Sequence, residues 1–444
     1  MDFGSSDDPR VQAQLDRLSA LSVPQGRLGL ETIRALMERL GNPHRKLPPV
    51  FHVAGTNGKG SVCAFLRAML EADGKRVHVT TSPHLVRYNE RIRLAGKLIE
   101  DGPLAELLEE VLDAGEDLGP SFFEVTIAAA FLAFSRTPAD ACVVEVGLGG
   151  RFDATNVLEP EALAACGIAA LGLDHERFLL APEQGVPTEP MARIAFEKAG
   201  IAKRGVPLVV MNNGDLADKQ VARSAKAAQA ILRAHRESWY ANPFGSHYED
   251  HFGTNNALSD HFLDDETELR LPDPAMKGEH QRLNASLAVA MLRSQTRVMV
   301  TSNAIYQGLR QAYWPARMQL LAEGPLTAFA PDQKVWLDGG HNPSAGEAIA
   351  RHFGEPLHLI IGMLDNKDPR ALLDPLGDRI RTLQIVPVPD HDSHPASAFG
   401  PEAVARSDLE DALLNVPSDG FPILIAGSLY LAGEALRLND EVPD

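Results

Sequence analysis

Short apolar runs recur along the chain with longer amphipathic stretches between them. VFHVAG from Val50, RVHVTT from Arg76, ACVVEVG from Ala141, LAACGIAALGL from Leu163 and VPLVVM from Val206 each read as a strand. Between them, GSVCAFLRAMLEADG and FFEVTIAAAFLAFSR repeat apolar positions at helical spacing, the first stopped by Gly74 and the second ending before Pro138. Short strands alternating with helices predict βαβ units on a mostly parallel sheet. From 238 to 274 the rhythm gives way to a polar stretch rich in Asn, Asp and Gly, expected to form loops and short antiparallel strands. A helix is predicted from Gln281 to Arg293, and alternation resumes with VWLDGG, LHLIIGM, RTLQIVPV and FPILIAGS. These four strands predict a second, smaller α/β domain, with the boundary near 314 where Trp-Pro interrupts a helix, giving domains 1–314 and 315–444.

Length and composition agree with more than one soluble core. The chain has 444 residues, 44% of them apolar and 23% charged, and a domain averages roughly 150 residues. No stretch reaches the ~20 apolar residues that span a bilayer, and MDFGSSDDPR lacks the basic start and apolar run of a secretory leader. The three cysteines, Cys63, Cys142 and Cys166, lie in apolar segments and read as buried thiols. A cytoplasmic protein with no membrane partner is expected. A net charge of −18 argues against nucleic acid as a partner, because such binding draws on clustered Lys and Arg. An anionic ligand would have to be held locally, by backbone N–H groups, a few fixed cations and a metal.

One segment has that chemistry. GTNGKGS stands between a predicted strand and a predicted helix, so that its amides and the positive helix end would face a phosphate and Lys59 would add a mobile charge. It is not a strict Walker loop, since Val53 stands at the first required glycine and Gly60 separates Lys59 from Ser61. Glu145 ends the strand ACVVEVG, where open α/β sheets bind ligands, and a carboxylate there is a candidate Mg²⁺ ligand. GLGGRF lacks the last glycine of a dinucleotide fingerprint, Phe152 standing in its place. His175 follows a strand as the phosphate loop does. Lys198 lies in the last turn of a helix closed by Gly200, where the helix dipole alone favours a lysine. His247, His251 and His261 sit among acids in the irregular stretch and read as a solvated loop.

Taken in order, AGTNGKGS, TSPHLVRYNERI, FFEVTIAAAF, EVGLGGRFDATN, GLDH, FEKAGIAK, HQRLNA, WPARMQ, LDGGHNP and IGMLDNKD resemble the Mur-type amide ligases, in particular the folylpolyglutamate synthase and dihydrofolate synthase family. The resemblance runs from near residue 28 to near 430 and implies a P-loop ATPase-like domain with a mostly parallel sheet, plus a smaller Rossmann-like α/β domain. It implies an ATP loop of Gly55, Thr56, Asn57, Gly58, Lys59, Gly60 and Ser61, with Asn284 on the base, Arg317 on the phosphates and Asp338 on the ribose. Ser82, Glu145 and His175 become the magnesium ligands, Lys198 is expected to be carbamylated, and His341 is a candidate catalytic contact. Phe123, Phe152, Asp153 and Ala154 become the pterin pocket. The segment PQGRLGLE also resembles the pterin site, with Arg27 where bifunctional members often carry an acid.

The implied reaction adds L-glutamate to dihydropteroate and to the tails of reduced folates through an acyl phosphate, in a monomer whose two domains both contact ATP. Three alternatives stand beside it: a Mur-type ligase acting on a cell-wall precursor, a nucleotide-binding regulator without turnover, and a phosphoryl-transferring kinase that would release a stable phosphorylated product instead of an amide. The stretch between His175 and Lys198, with Pro182, Pro187 and Pro190, is longer than the usual connection of the family.

Overall fold

A computed structural model describes residues 4, 6–21, 29–241, 247–250 and 268–444. They divide into two compact units, Met1–Ala275 with Gln281–Tyr313, and Met276–His280 with Trp314–Asp444. Arg27, His251 and His261 lie outside the described residues.

The larger unit is built on eight strands: β1 (Val50–Ala54), β2 (Val77–Thr80), β3 (Ile92–Leu94), β4 (Lys97–Leu98), β5 (Ala141–Glu145), β6 (Leu163–Ile168), β7 (Pro207–Val210) and β8 (Ile231–Ala234). Their order is β4-β3-β2-β5-β1-β6-β7-β8. Along that order every pair from β2 through β5, β1, β6 and β7 to β8 is parallel, and the two edge pairs, β2–β3 and β3–β4, are antiparallel. Every residue of β1, β5 and β6 is buried, as parallel strands covered on both faces require. That is why the sequence shows them as unbroken apolar runs. The short edge strands β3, β4 and β8 carry no such run and were not legible.

Two flanking helices matter for the site. Lys59–Ala72 begins at the lysine itself, one residue before the expected start, because Gly58 adopts a left-handed cap at φ +83°. Phe122–Arg136 opens with a capping box, in which Glu124 N donates to Ser121 Oγ (3.3 Å) and Ser121 N to Glu124 Oε2 (2.8 Å). The helix Ser302–Gln311 packs closely on Lys59–Ala72, since Gly308 lies against the Met69 backbone. Register pairs Val53 with Glu145 and Ala54 with Ile168, so the carboxyl ends of β5, β1 and β6 lie side by side. The loops that follow these strands leave from one edge, the place where open α/β sheets take ligands.

The irregular stretch contributes an antiparallel sheet of β9 (Trp239–Ala241), β10 (His247–Asp250) and β11 (Glu268–Arg270), in the order β11-β10-β9. His247 thus starts a strand.

The smaller unit has β12 (Gln319–Leu320), β13 (Val335–Asp338), β14 (Leu357–Ile361), β15 (Ile380–Ile385), β16 (Ala403–Ala405) and β17 (Ile423–Ala426), in the order β12-β13-β17-β14-β15-β16. The four strands expected from sequence form its contiguous parallel centre, and only β12 is antiparallel. Leu357, Leu359, Ile361, Leu424 and Ala426 form the core beneath the helix Pro343–His352, itself capped by Asn342. Among the described residues no helix is long and apolar enough to cross a membrane.

Candidate functional site

The loop after β1 is shaped by two glycines. Gly55, at φ +154°, lies so close to Ala169 that a Cβ would come within 2.9 Å of the alanine methyl. At Gly58 a Cβ would overlap the amide of Asn284, with Cγ only 3.0 Å away. Asn284 is itself buried and donates from Nδ2 to Gln281 Oε1 at 3.0 Å. The helix Glu279–Arg293 therefore presents Asn284 to the loop backbone. The loop's other side is held by the segment that follows β6: Thr56 N and Asn57 N donate to Ala170 O at 2.8 and 3.1 Å. Thr56 Oγ1 donates to Gly172 O at 2.9 Å and accepts from Gly172 N at 3.0 Å. Lys59 Nζ lies 3.4 Å from Thr56 O, folded back over its own loop.

Beneath the loop is a second lysine. Lys198 is only 3% exposed and donates from Nζ to Gly55 O at 2.9 Å. Burial, reinforced by the positive charge of Lys59, pulls its pKa from 10.5 down to about 7, against the opposing influence of Asp174, Asp153 and Glu197. The sequence reading of a helix-end lysine missed this burial, because the partner is 143 positions away in the chain.

Glu145, at the end of β5, is buried and accepts from Ser82 N at 3.2 Å. Ser82 thus meets Glu145 through its backbone, at a cis Ser82–Pro83 bond. Cys63 lies close enough for Glu145 to reinforce the rise that burial imposes on its thiol, while Lys59 opposes it. His175 occupies a left-handed position at φ 52° where the helix Glu176–Leu179 opens, is 43% exposed, and has Asp174 at 3.9 Å. Among the described residues no three His, Cys, Asp or Glu side chains converge as a self-sufficient metal cage.

The glycines of GLGGRF serve close packing. Phe123 lies over Gly147, where a Cβ would come within 2.7 Å of the ring edge. Gly150 leaves room for the backbone of residues 197 and 198, with Glu197 O 2.8 Å from a Cβ at that position. Asp153 is buried and accepts from Leu148 N (2.8 Å), Thr155 N (3.0 Å) and Thr155 Oγ1 (2.5 Å). Burial raises its pKa although these bonds pull the other way. Asp153 thereby fixes the turn carrying Phe152 and Ala154, whose peptide begins the short 3₁₀ helix Ala154–Val157.

In the smaller unit, Asp338 ends β13 and accepts from Met318 N (2.8 Å) and Gly340 N (2.7 Å). It ties the WPARMQ turn to the GGHNP turn. Arg317 stands between two non-glycine residues with positive φ, Ala316 at 53° and Met318 at 46°, a local concentration of backbone strain. His341 donates from Nδ1 to Gly339 O at 3.0 Å. His280 feels the charges of both Asp338 and Arg317, and burial lowers its pKa.

With the geometry in view, the relatives are informative. No protein-family model matches the chain. A folylpolyglutamate synthase of Lacticaseibacillus casei is 32% identical over 431 residues, covering 90% of this chain and 92% of the relative. A dihydrofolate synthase/folylpolyglutamate synthase of Bacillus subtilis is 33% identical over 406 residues, covering 86% and 84%. The chain belongs to the folylpolyglutamate synthase/dihydrofolate synthase family. A solved bifunctional folylpolyglutamate synthase/dihydrofolate synthase with Mn, AMPPNP and L-glutamate bound superposes with a TM-score of 0.80 at 28% identity, over 96% of this chain and 97% of that one. The α/β architecture expected from the strand rhythm is that of the family. Sequence reasoning passed over Asp174 and Arg151, charged residues inside the quoted motifs GLDH and EVGLGGRFDATN, and Glu183, which lies outside all of them and carries no local signal.

Proposed function

We propose that the chain is an ATP-dependent ligase that joins the amine of L-glutamate to dihydropteroate and to the glutamate tails of reduced folates. The observation that carries this reading is the likeness, over nearly the whole chain, to relatives named for these two syntheses. A carboxylate does not condense with an amine unaided, because oxide is a poor leaving group. Attack of the carboxylate on the γ-phosphate of ATP gives an acyl phosphate and ADP. The glutamate amine then displaces phosphate, and the amide forms. Such transfer relies on positioning and charge stabilisation.

The assigned roles follow the chemistry of each group. The N–H groups of Gly55, Thr56, Asn57, Gly58, Gly60 and Ser61 cradle phosphate at the positive end of the helix Lys59–Ala72, and Lys59 follows the transferred group. Ser82, Glu145 and His175 would hold a divalent ion. The donors fit a hard cation, since buried Glu145 offers oxygen and no closed cage of His, Cys, Asp or Glu is found among the described residues. When bound, the ion neutralises charge on the phosphates. Lys198, with a pKa of about 7, presents much neutral amine near neutrality, the form that adds to CO₂ to give a carbamate and a released proton. Phe123, Phe152, Asp153 and Ala154 take the pterin. Asn284, Arg317 and Asp338 serve the nucleotide, and His341 the transferring group.

Domain 1–314 is assigned to ATP and pterin, and 315–444 to glutamate ligation, in a cytoplasmic monomer. The test supplies ATP, magnesium and glutamate with dihydropteroate or with a reduced folate, follows ADP and weighs the products. Amide products heavier by one glutamyl residue are expected. ADP release at one rate with and without acceptor and glutamate refutes the assignment.

A further inference from the structure

The connection between His175 and Lys198 is fastened at one point that the family motifs do not include. Glu183, in the stretch between the helices Glu176–Leu179 and Pro190–Lys198, reaches two arginines. Its carboxylate meets Arg151 Nη1 at 3.2 Å, Arg151 Nη2 at 2.5 Å and Arg193 Nη2 at 3.0 Å. The same arginines share a second carboxylate: Arg151 Nε and Nη2 meet Glu197 Oε2 and Oε1 at 3.1 and 2.8 Å, and Arg193 Nε meets Glu197 Oε1 at 2.9 Å. The result is a closed, charge-balanced ring of two guanidiniums and two carboxylates. Arg193 and Glu197 are almost wholly buried, and Glu183 is the most accessible of the two acids.

Three stretches of chain meet in this ring. Arg151 belongs to the turn that carries Phe152 and Asp153, and its guanidinium lies 4.1 Å from the Phe152 ring centre and 4.9 Å from that of Phe196. Arg151 N also donates to Glu197 O at 2.8 Å. Glu197 is the neighbour of Lys198, whose Nζ holds Gly55 O. Arg151, bidentate to both carboxylates, transmits orientation in a way a single point charge does not, while Arg193 bonds Glu183 and faces Glu197 as an ion pair. A buried pair is strongly disturbed when one partner is removed, because the remaining charges lose compensation.

We propose that Glu183 is a positioning residue that couples the Phe152 turn to Lys198 and, through Lys198, to the phosphate loop. Its carboxylate closes the ring, so the long connection acts as a clasp that fixes acceptor side and nucleotide side relative to each other within the larger unit. This rests on the proposed ligase reading for its kinetic consequence but not for its structural one.

The experiment compares the full-length enzyme with Glu183→Gln, Glu183→Asp and a control, Glu189→Gln. Glu189 caps the N-terminus of the same helix by accepting from Ala192 N at 2.7 Å and does not belong to the ring. Hydrogen–deuterium exchange is read without substrates. Glu183→Gln is expected to raise exchange at 147–154 as well as at 176–189, whereas Glu189→Gln raises it only around 190–193. In turnover, Glu183→Gln is expected to lower kcat and raise KM for the pterin acceptor, each about 5- to 10-fold, with KM for glutamate unchanged. Glu183→Asp, which keeps the charge on a shorter arm, is expected to recover part of both. Glu189→Gln at a comparable loss of Tm leaves the acceptor KM unchanged. Exchange at 147–154 indifferent to Glu183, or kinetic losses equal to those of the Glu189 control, overturns the proposal. Absence of acceptor-dependent turnover in the unaltered enzyme overturns the ligase reading alone, since the exchange data still decide whether the clasp exists.

Discussion

Replacing Lys198 with methionine should stabilise the larger unit while removing its proposed chemistry. Lys198 has an ordinary pKa of 10.5 in the unfolded chain and about 7 in the folded one, so the folded state binds fewer protons between those values. Stability attributable to this group is therefore complete above pH 10.5, and it is lost as pH falls toward 7. Taking ~1.4 kcal/mol per pKa unit, the cost of burying this amine is about 4 kcal/mol at pH 7 and about 1 kcal/mol at pH 10. Methionine keeps the length of the side chain and carries no charge. It forfeits the bond to Gly55 O, a loss of roughly 1–3 kcal/mol that does not vary with pH. At pH 7 the variant should thus gain about 2 kcal/mol, and between pH 7 and 10 the difference between variant and parent should move by about 3 kcal/mol against the variant. Urea unfolding in CO₂-free buffer, followed by exchange at amides of β1 and β6, reads this directly. A variant whose advantage is constant across that range, or absent at pH 7, would show that Lys198 is not a cation held at a cost in the fold.

Four further outcomes follow from the geometry. Gly58→Ala places a non-glycine residue at φ +83° and pushes on Asn284; strain of ~1–2 kcal/mol should leave the chain folded but raise KM for ATP at least 10-fold by steady-state kinetics. Gly147→Ala drives a methyl into Phe123 and should raise KM for the pterin acceptor several-fold with KM for ATP unchanged. Gly308→Ala crowds the Met69 backbone, and overpacking of roughly 1–3 kcal/mol should lower the unfolding midpoint without changing either KM. Chelation with EDTA should abolish ADP release, and added magnesium should restore it.

What the sequence disclosed depended on how locally each feature is encoded. The central strands were readable because a strand buried on both faces must be apolar throughout, as ACVVE of β5 is. The edge strands β3 and β4, three and two residues long, are fixed by pairing rather than by composition, and nothing in IRLAGKL announces them. The turn between β1 and the helix Lys59–Ala72 was legible from GTNGKGS alone. Its supports were not: Ala170, Asn284 and Lys198 touch it from distant parts of the chain. GLGGRF shows the opposite case, in which a conspicuous glycine pattern serves Phe123 and the backbone at Glu197 by leaving space. Glu183 was invisible for a further reason, since an acid in a proline-rich loop is ordinarily solvated and only its two arginine partners distinguish it.

The bond from Lys198 to Gly55 has a consequence for synthesis of the chain. A nascent polypeptide released only as far as the helix Phe122–Arg136 already contains the whole GTNGKGS loop and the helix that follows it, yet neither the segment after β6, which grips Thr56, nor the lysine beneath Gly55 has been made. Contacts so distant along the chain form late. The loop can therefore reach its final geometry only after well over half of the larger unit has left the ribosome, and any ligand it takes meets an almost finished domain.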